Sequence, residues 1–95
     1  MSYPPSARWA VRYTERALTA LQGLDRPIRE QIEGYAQRLL DSDAPRSRGR
    51  ALSGPLVGLW RYRVGDHRLI CEIQDDVLVI LVIDIGHRSK IYRRQ

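Results

Sequence analysis

The chain is short of the residues on which several kinds of chemistry depend. It has one cysteine, Cys71, which excludes an intramolecular disulfide and a cysteine-based zinc site. Its longest apolar run, Val77 to Ile83, is far too short to cross a bilayer. The start, Met1-Ser-Tyr-Pro-Pro-Ser6, has neither the basic nor the apolar region of a signal peptide. These absences lead us to expect a reducing, cytoplasmic setting. Lysine is nearly missing too: Lys90 is the only one, and the other basic side chains are arginine. Coding bias explains that preference as readily as chemistry does. What remains is a chain of 95 residues, 43% hydrophobic and 28% charged. That is an ordinary globular composition, and the length fits one domain, residues 1–95, around one core.

The charge is unevenly placed. Residues 1–45 carry six basic and six acidic side chains, whereas residues 46–95 carry ten basic and five acidic. The whole net charge of +5 therefore belongs to the second half. Such an imbalance points to a polyanion on one side of the fold.

The stretch Leu59 to Ile73, LWRYRVGDHRLICEI, reads as a β-hairpin turning at Gly65-Asp66. A two-residue turn there pairs Val64 with His67 and sets Arg63 opposite Arg68. Arg61 shares their face, because side chains alternate along a strand. Like charges directly opposite destabilise a sheet. A solvated sheet face is the plain explanation of three such arginines, but the cross-strand clash favours a site awaiting an anion, phosphate above all.

The rest of the chain frames this hairpin. Arg8 to Tyr13 alternates as a strand. Thr14 is suited to cap a helix carrying Ala17, Leu18 and Leu21, which Gly23 ends. Asp25 and Pro27 suit the start of a second helix, with Ile28, Ile32, Tyr35, Leu39 and Leu40 as its apolar stripe. Ser42 to Pro55 reads as a loop. Strands are predicted at about 57–64, 67–74 and 77–85, with Asp75-Asp76 as a second tight turn. The order predicts an α+β fold: a strand, a helix hairpin and a three-stranded antiparallel meander, in one sheet with one face under the helices. Trp60, Tyr62, Leu69, Cys71 and Ile73 should face the helices, and Arg61, Arg63 and Arg68 the open side. His67 should lie on the helix side, with Asp84 across from it as a structural partner. Trp9 and Trp60 are expected in the core, and Cys71 as an inert buried thiol.

This order of elements resembles the RelE branch of the RelE/ParE toxin superfamily. So do the strand Trp60-Arg-Tyr-Arg63, the corner Asp66-His-Arg-Leu69 and the ending Gly86-His-Arg-Ser-Lys-Ile-Tyr92. The resemblance covers essentially the whole chain. It implies a toxin that enters the ribosomal A site and cuts messenger RNA there. The 2′-hydroxyl attacks the adjacent phosphate, and neither metal nor cofactor takes part. It also implies a cognate antitoxin that blocks the toxin. Carried over by position, the family's two basic residues on the first meander strand fall on Arg61 and Arg63. Its later arginines fall on Arg68 and Arg88, and its tyrosine on Tyr92. The arginines would hold the phosphate, and Tyr92 would stack on or orient a nucleotide.

The chain departs from the best-known members in having arginine where they have lysine, at Arg61 and Arg63. It also ends at Gln95, where they often add a helix. Arginine stays protonated near neutral pH and makes a poor general base. Elimination then leaves His87 as the candidate base, beside Arg88. Lys90, Arg93 and Arg94 are candidate RNA contacts, with a solubilising tail as the plainer reading. Two other functions stay open: a ParE-like gyrase inhibitor without a nuclease site, and a non-catalytic nucleic-acid-binding domain.

Overall fold

Thr14 marks the place where the chain turns from strand to helix. In the computed structural model, which describes residues 8–94 apart from the side chains of Arg93 and Arg94, strand β1 (Ala10–Tyr13) runs into helix α1 (Glu15–Gln22) through this residue. The Thr14 hydroxyl accepts from the Ala17 N–H at 3.2 Å and donates to the Ile83 carbonyl at 2.9 Å. One side chain thus caps the helix and ties it to the far end of the sequence. Gly23 ends α1, and helix α2 (Arg26–Ser42) follows almost at once. Asp25 stands at the N-cap of α2 as expected, yet makes no side-chain capping bond.

The sheet has five strands in the order β1-β5-β4-β3-β2. Three of them, β3 (Trp60–Val64), β4 (His67–Gln74) and β5 (Val79–His87), form the predicted meander. The fifth, β2 (Arg50–Ala51), lies inside the segment read from sequence as loop. β1 pairs parallel with β5, and the other pairs are antiparallel. Both helices lie over one face. Trp9, Ala17, Leu21, Ile32, Leu39, Tyr62, Val64, Leu69, Cys71, Ile80, Val82 and Ile85 close the core between them. Trp60, Ile73 and Tyr35 are half-buried against it. Cys71 is fully buried, and burial pushes its thiol pKa up, so the thiolate is suppressed.

The hairpin register is the expected one: Val64 pairs with His67, Tyr62 with Leu69, and Arg63 with Arg68. Gly65 takes φ +58, which is open to a residue without a Cβ. The second turn differs from the expectation. The chain crosses from β4 to β5 through residues 75–78, with Leu78 at φ +56, and β5 starts two residues later than predicted. The β4–β5 ladder then slips: Cys71 pairs with Val82, but Ile70 with Asp84, so Ile83 is an extra residue on β5. The expected His67–Asp84 pair is therefore absent. His67 stands across from His87, the rings edge to face at 5.7 Å. Asp84 is buried in register with Ile70 and takes the Arg16 guanidinium at 3.3 Å.

This bulge shapes the functional end of the sheet. Without the extra residue, Ile85 would come opposite Arg68. With it, Gly86 does, and Ile85 stays in the core. No side chain on β5 crowds Arg68 from across the ladder.

Candidate functional site

The outer face of β2, β3 and β4 carries a row of arginines. Antiparallel partners share a face. The pairs Arg50–Arg61 and Arg63–Arg68 therefore set two like-charged couples side by side on three neighbouring strands. Among the described residues, no carboxylate comes within ion-pair distance of any of the four. Arg50 was not singled out from the sequence, because its strand is two residues long and sits among Ser, Gly and Pro.

The five candidates that the resemblance supplied, Arg61, Arg63, Arg68, Arg88 and Tyr92, are brought to one end of the sheet. Arg61 Nη1 lies 3.4 Å from the Tyr92 hydroxyl. Arg63 is exposed beside them. Arg68 is only 6% exposed, not on open surface as expected, because the hairpin folds its own backbone around it. Its Nη1 donates to the carbonyls of Gly65 and His67, each at 2.9 Å. Burial, then the guanidiniums of Arg63 and Arg61, push the Arg68 pKa below its ordinary value. Arg88 also lowers it, while Tyr92 opposes the shift. These are the marks of one electrostatic cluster.

Arg88 reaches the cluster from the turn after β5. Its backbone N–H donates to the Asp66 carbonyl at 2.8 Å, which latches that turn onto the hairpin. Its side chain is exposed and meets Asp66 only at 3.8 Å. His87 begins the same turn. Its Nδ1 accepts the Ser89 N–H at 3.1 Å and lies 2.8 Å from the Ser89 hydroxyl. Accepting that N–H calls for a lone pair on Nδ1. Lys90 donates its backbone N–H to the His87 carbonyl, and its side chain is exposed. Ile91 is fully buried, so the final 3₁₀ turn, Ile91–Arg94, is pinned and holds Tyr92 at the face. The side chains of Arg93 and Arg94 lie outside the described residues.

Between β3 and α2 the face opens into a cavity of about 280 Å³, lined by Tyr35, Gly49, Arg50, Arg61 and Arg63. Arg38 and Arg48 stack over the Tyr35 ring at 5.6 and 5.9 Å. Sequence reading placed Tyr35 only in a helix stripe; its position among arginines is a product of packing.

Helices on one side of a sheet and a row of arginines without carboxylate partners among the described residues on the other define a small α+β domain with one basic face. Comparison with known proteins makes that class specific. Residues 11–92 match the sequence model of the ParE toxin of the type II toxin–antitoxin system parDE. Toxin RelG of Mycobacterium tuberculosis is 30% identical over 86 residues, covering 90% of this chain and 98% of RelG. The toxin–antitoxin complex RelBE2 of the same organism contains a chain of like fold, with TM-score 0.77 and 27% identity. The match covers 85% of this chain and 99% of that one. The isolated Escherichia coli RelE toxin shares the fold at TM-score 0.69 and 23% identity, over 90% and 93% of the two chains. The chain belongs to the RelE/ParE toxin superfamily of type II toxin–antitoxin systems, on its RelE branch.

Proposed function

We propose that this toxin is a ribosome-dependent endoribonuclease that cuts translated messenger RNA in the A site, and that a cognate antitoxin holds it inactive. The observation that carries the reading is the convergence of Arg61, Arg63, Arg68, Arg88 and Tyr92 with so little carboxylate among them. A protein that only had to fold would not set Arg63 against Arg68 unpaired. A phosphodiester passing to its transition state gains negative charge, and preorganised guanidiniums stabilise that charge without rearranging. In this reaction the 2′-oxygen bonds to phosphorus as the 5′-oxygen of the next nucleotide leaves. The products are a 2′,3′-cyclic phosphate and a free 5′-hydroxyl. Arg68, held by the hairpin carbonyls, and Arg88, at the rim, take the non-bridging oxygens. Arg61 and Arg63 orient the strand, and Tyr92 stacks on a base. Lys90, Arg93 and Arg94 extend the contact with RNA. The relatives solved as toxin–antitoxin complexes support the antitoxin, and an A-site target places the activity in the cytoplasm.

His87 is proposed as the proton acceptor, on a demanding condition. Its lone pair on Nδ1 is engaged by Ser89 in the unbound protein, so the ring must leave Ser89 or exchange its tautomer before it serves as base. Where it does neither, the arginines and positioning carry the reaction.

The match to the ParE model favours a second reading, a gyrase inhibitor without nuclease activity. One experiment separates the two. The toxin is expressed with and without active translation, and messenger RNA ends are mapped. Codon-phased cuts confined to translated messages support the nuclease. Intact messages with stalled DNA replication support the gyrase reading.

A further inference from the structure

The cavity beside Tyr35 lies at the β2 edge; the proposed chemistry shares Arg61 and Arg63 with it and makes no use of its other lining residues, Tyr35, Gly49 and Arg50. Three of its five lining residues are arginines, and none is acidic. Within that lining Arg50 and Arg61 stand directly opposite each other, the second like-charged couple of the sheet and as unfavourable in an empty protein as the first. The Arg61 Nε is buried with no hydrogen-bond partner among the described residues. Arg61 also touches Tyr92, so one side chain belongs both to the cluster and to the cavity.

The cavity wall is firmly seated. Trp60 Nε1 donates to the Arg48 carbonyl at 2.8 Å, and the Tyr62 hydroxyl donates to the Pro45 carbonyl. Arg46 grips Asp75 through two bonds of 2.8 Å. Gly49 takes φ +80, and a Cβ there would collide with the Arg61 carbonyl oxygen and Trp60 Nε1. The segment is thus pressed onto β3 by its own sequence, and Arg50 is held at its place in the row.

We propose that this cavity is a second phosphate subsite, which takes the phosphodiester flanking the scissile one and leads the RNA strand across β3 to the β2 edge. The inference rests on the nuclease reading and deepens it. Arg50 and Arg63 grip the flanking phosphate, and Arg61 links the two positions. Tyr35, with Arg38 and Arg48 over its ring, forms the wall on the helix side.

The test uses the whole protein and cleavage-resistant 2′-O-methyl RNA, as a fluorescent pentanucleotide and as a dinucleotide with a single phosphodiester. Arg50→Gln should weaken the pentanucleotide about tenfold, the equivalent of one charge-assisted hydrogen bond, and leave the dinucleotide unchanged. The slope of log affinity against log salt should become shallower by about 0.7, the share of one phosphate on a single strand. Arg50→Lys should restore part of both. Arg26→Gln removes the same charge from an exposed pair on α2, outside the cavity and its wall, and should change neither. Equal losses in Arg26→Gln and Arg50→Gln would reduce the effect to net charge and overturn the subsite. So would an Arg50→Gln protein that binds RNA as before and loses only its antitoxin, since the cavity would then serve a protein partner. A wild-type protein that never cuts translated messages but shows the Arg50-dependent step would defeat the nuclease reading and leave the subsite standing.

Discussion

Two groups of arginines in this protein are held in opposite ways. Arg8 holds Asp43 at 2.6 Å, Arg26 holds Glu30 at 2.7 Å, Arg46 holds Asp75 at 2.8 Å and Arg16 holds Asp84 at 3.3 Å. All four sit off the outer face of the meander, each beside an acid. On that face Arg50, Arg61, Arg63 and Arg68 stand in opposed pairs with no acid in reach among the described residues, and Arg88 has one only at 3.8 Å. Both populations fold in the same solvent and from the same residue type. In the first group each charge is set beside a carboxylate. In the second the like-charged couples face each other, and the sheet carries the repulsion.

Substitutions can set the two populations against each other. The largest effect is expected from Arg68→Ala and Arg88→Ala, each lowering single-turnover cleavage on programmed ribosomes by about 10²–10³. Their melting curves should diverge. Arg88→Ala should melt like the wild type, whereas Arg68→Ala removes the donor to the Gly65 and His67 carbonyls and should lose about 1 kcal/mol. Activity losses proportional to stability losses across both variants would move these arginines into the structural population.

Next in size is Gly49→Ala. A left-handed φ of +80 alone strains a residue with a Cβ by about 1–2 kcal/mol, and the collision with β3 adds to that. Urea denaturation should show a clear drop in midpoint, and an unchanged midpoint would mean the segment is not seated on β3. Smaller still is a crossed pair of charge removals. Arg63→Gln should leave the fold unharmed or steadier by up to about 1 kcal/mol, through relief of the clash with Arg68, while cleavage falls. Arg46→Gln should do the reverse: a slight loss of melting temperature, with cleavage kept. The comparison breaks if both variants destabilise alike.

The smallest effect concerns pH. Burial first, then His87 and Arg68, lower the His67 pKa below its ordinary 6.5, against an opposing pull from Asp66. Above pH 6.5 the histidine is neutral folded and unfolded, and its contribution to stability is constant. As pH falls below 6.5 the unfolded chain takes the proton first, so stability declines until the folded-state pKa is passed. Melting curves through this range should flatten in His67→Gln, and an identical decline in that variant would assign the pH dependence to other groups.

Much of this arrangement was legible in the sequence, for identifiable reasons. The hairpin was readable because alternation and Gly65-Asp66 fix its register locally, and the Arg63–Arg68 couple follows by counting. The resemblance supplied Arg88 and Tyr92, whose place beside the hairpin depends on the whole sheet. The second turn was misjudged because two aspartates suggest a tight turn, whereas the chain spends residues 75–78 there and puts Leu78, a residue with no turn preference, at positive φ. The bulge at Ile83 left no mark at all, since an apolar run reads the same with or without an extra residue. The longer turn had already carried Asp84 past His67, and the bulge added the last step, which set His87 there in place of Gly86. Arg50 and Tyr35 were passed over because their cavity is made by packing. Gly49 between two arginines, ahead of the indole of Trp60, was the one available hint of a close backbone approach.

The parallel pairing of β1 with β5 has a consequence for how the toxin comes into being. Ala10 to Tyr13 find their partners at Val79 to Val82, and Thr14 seals the join through Ile83. The first strand to leave the ribosome therefore waits, unpaired, for the last one to be made, and contacts of such long sequence separation close slowly. The turn bearing Arg88 and Tyr92 is younger still. A nascent chain therefore cannot assemble the arginine face until β5 and the turn after it have been made.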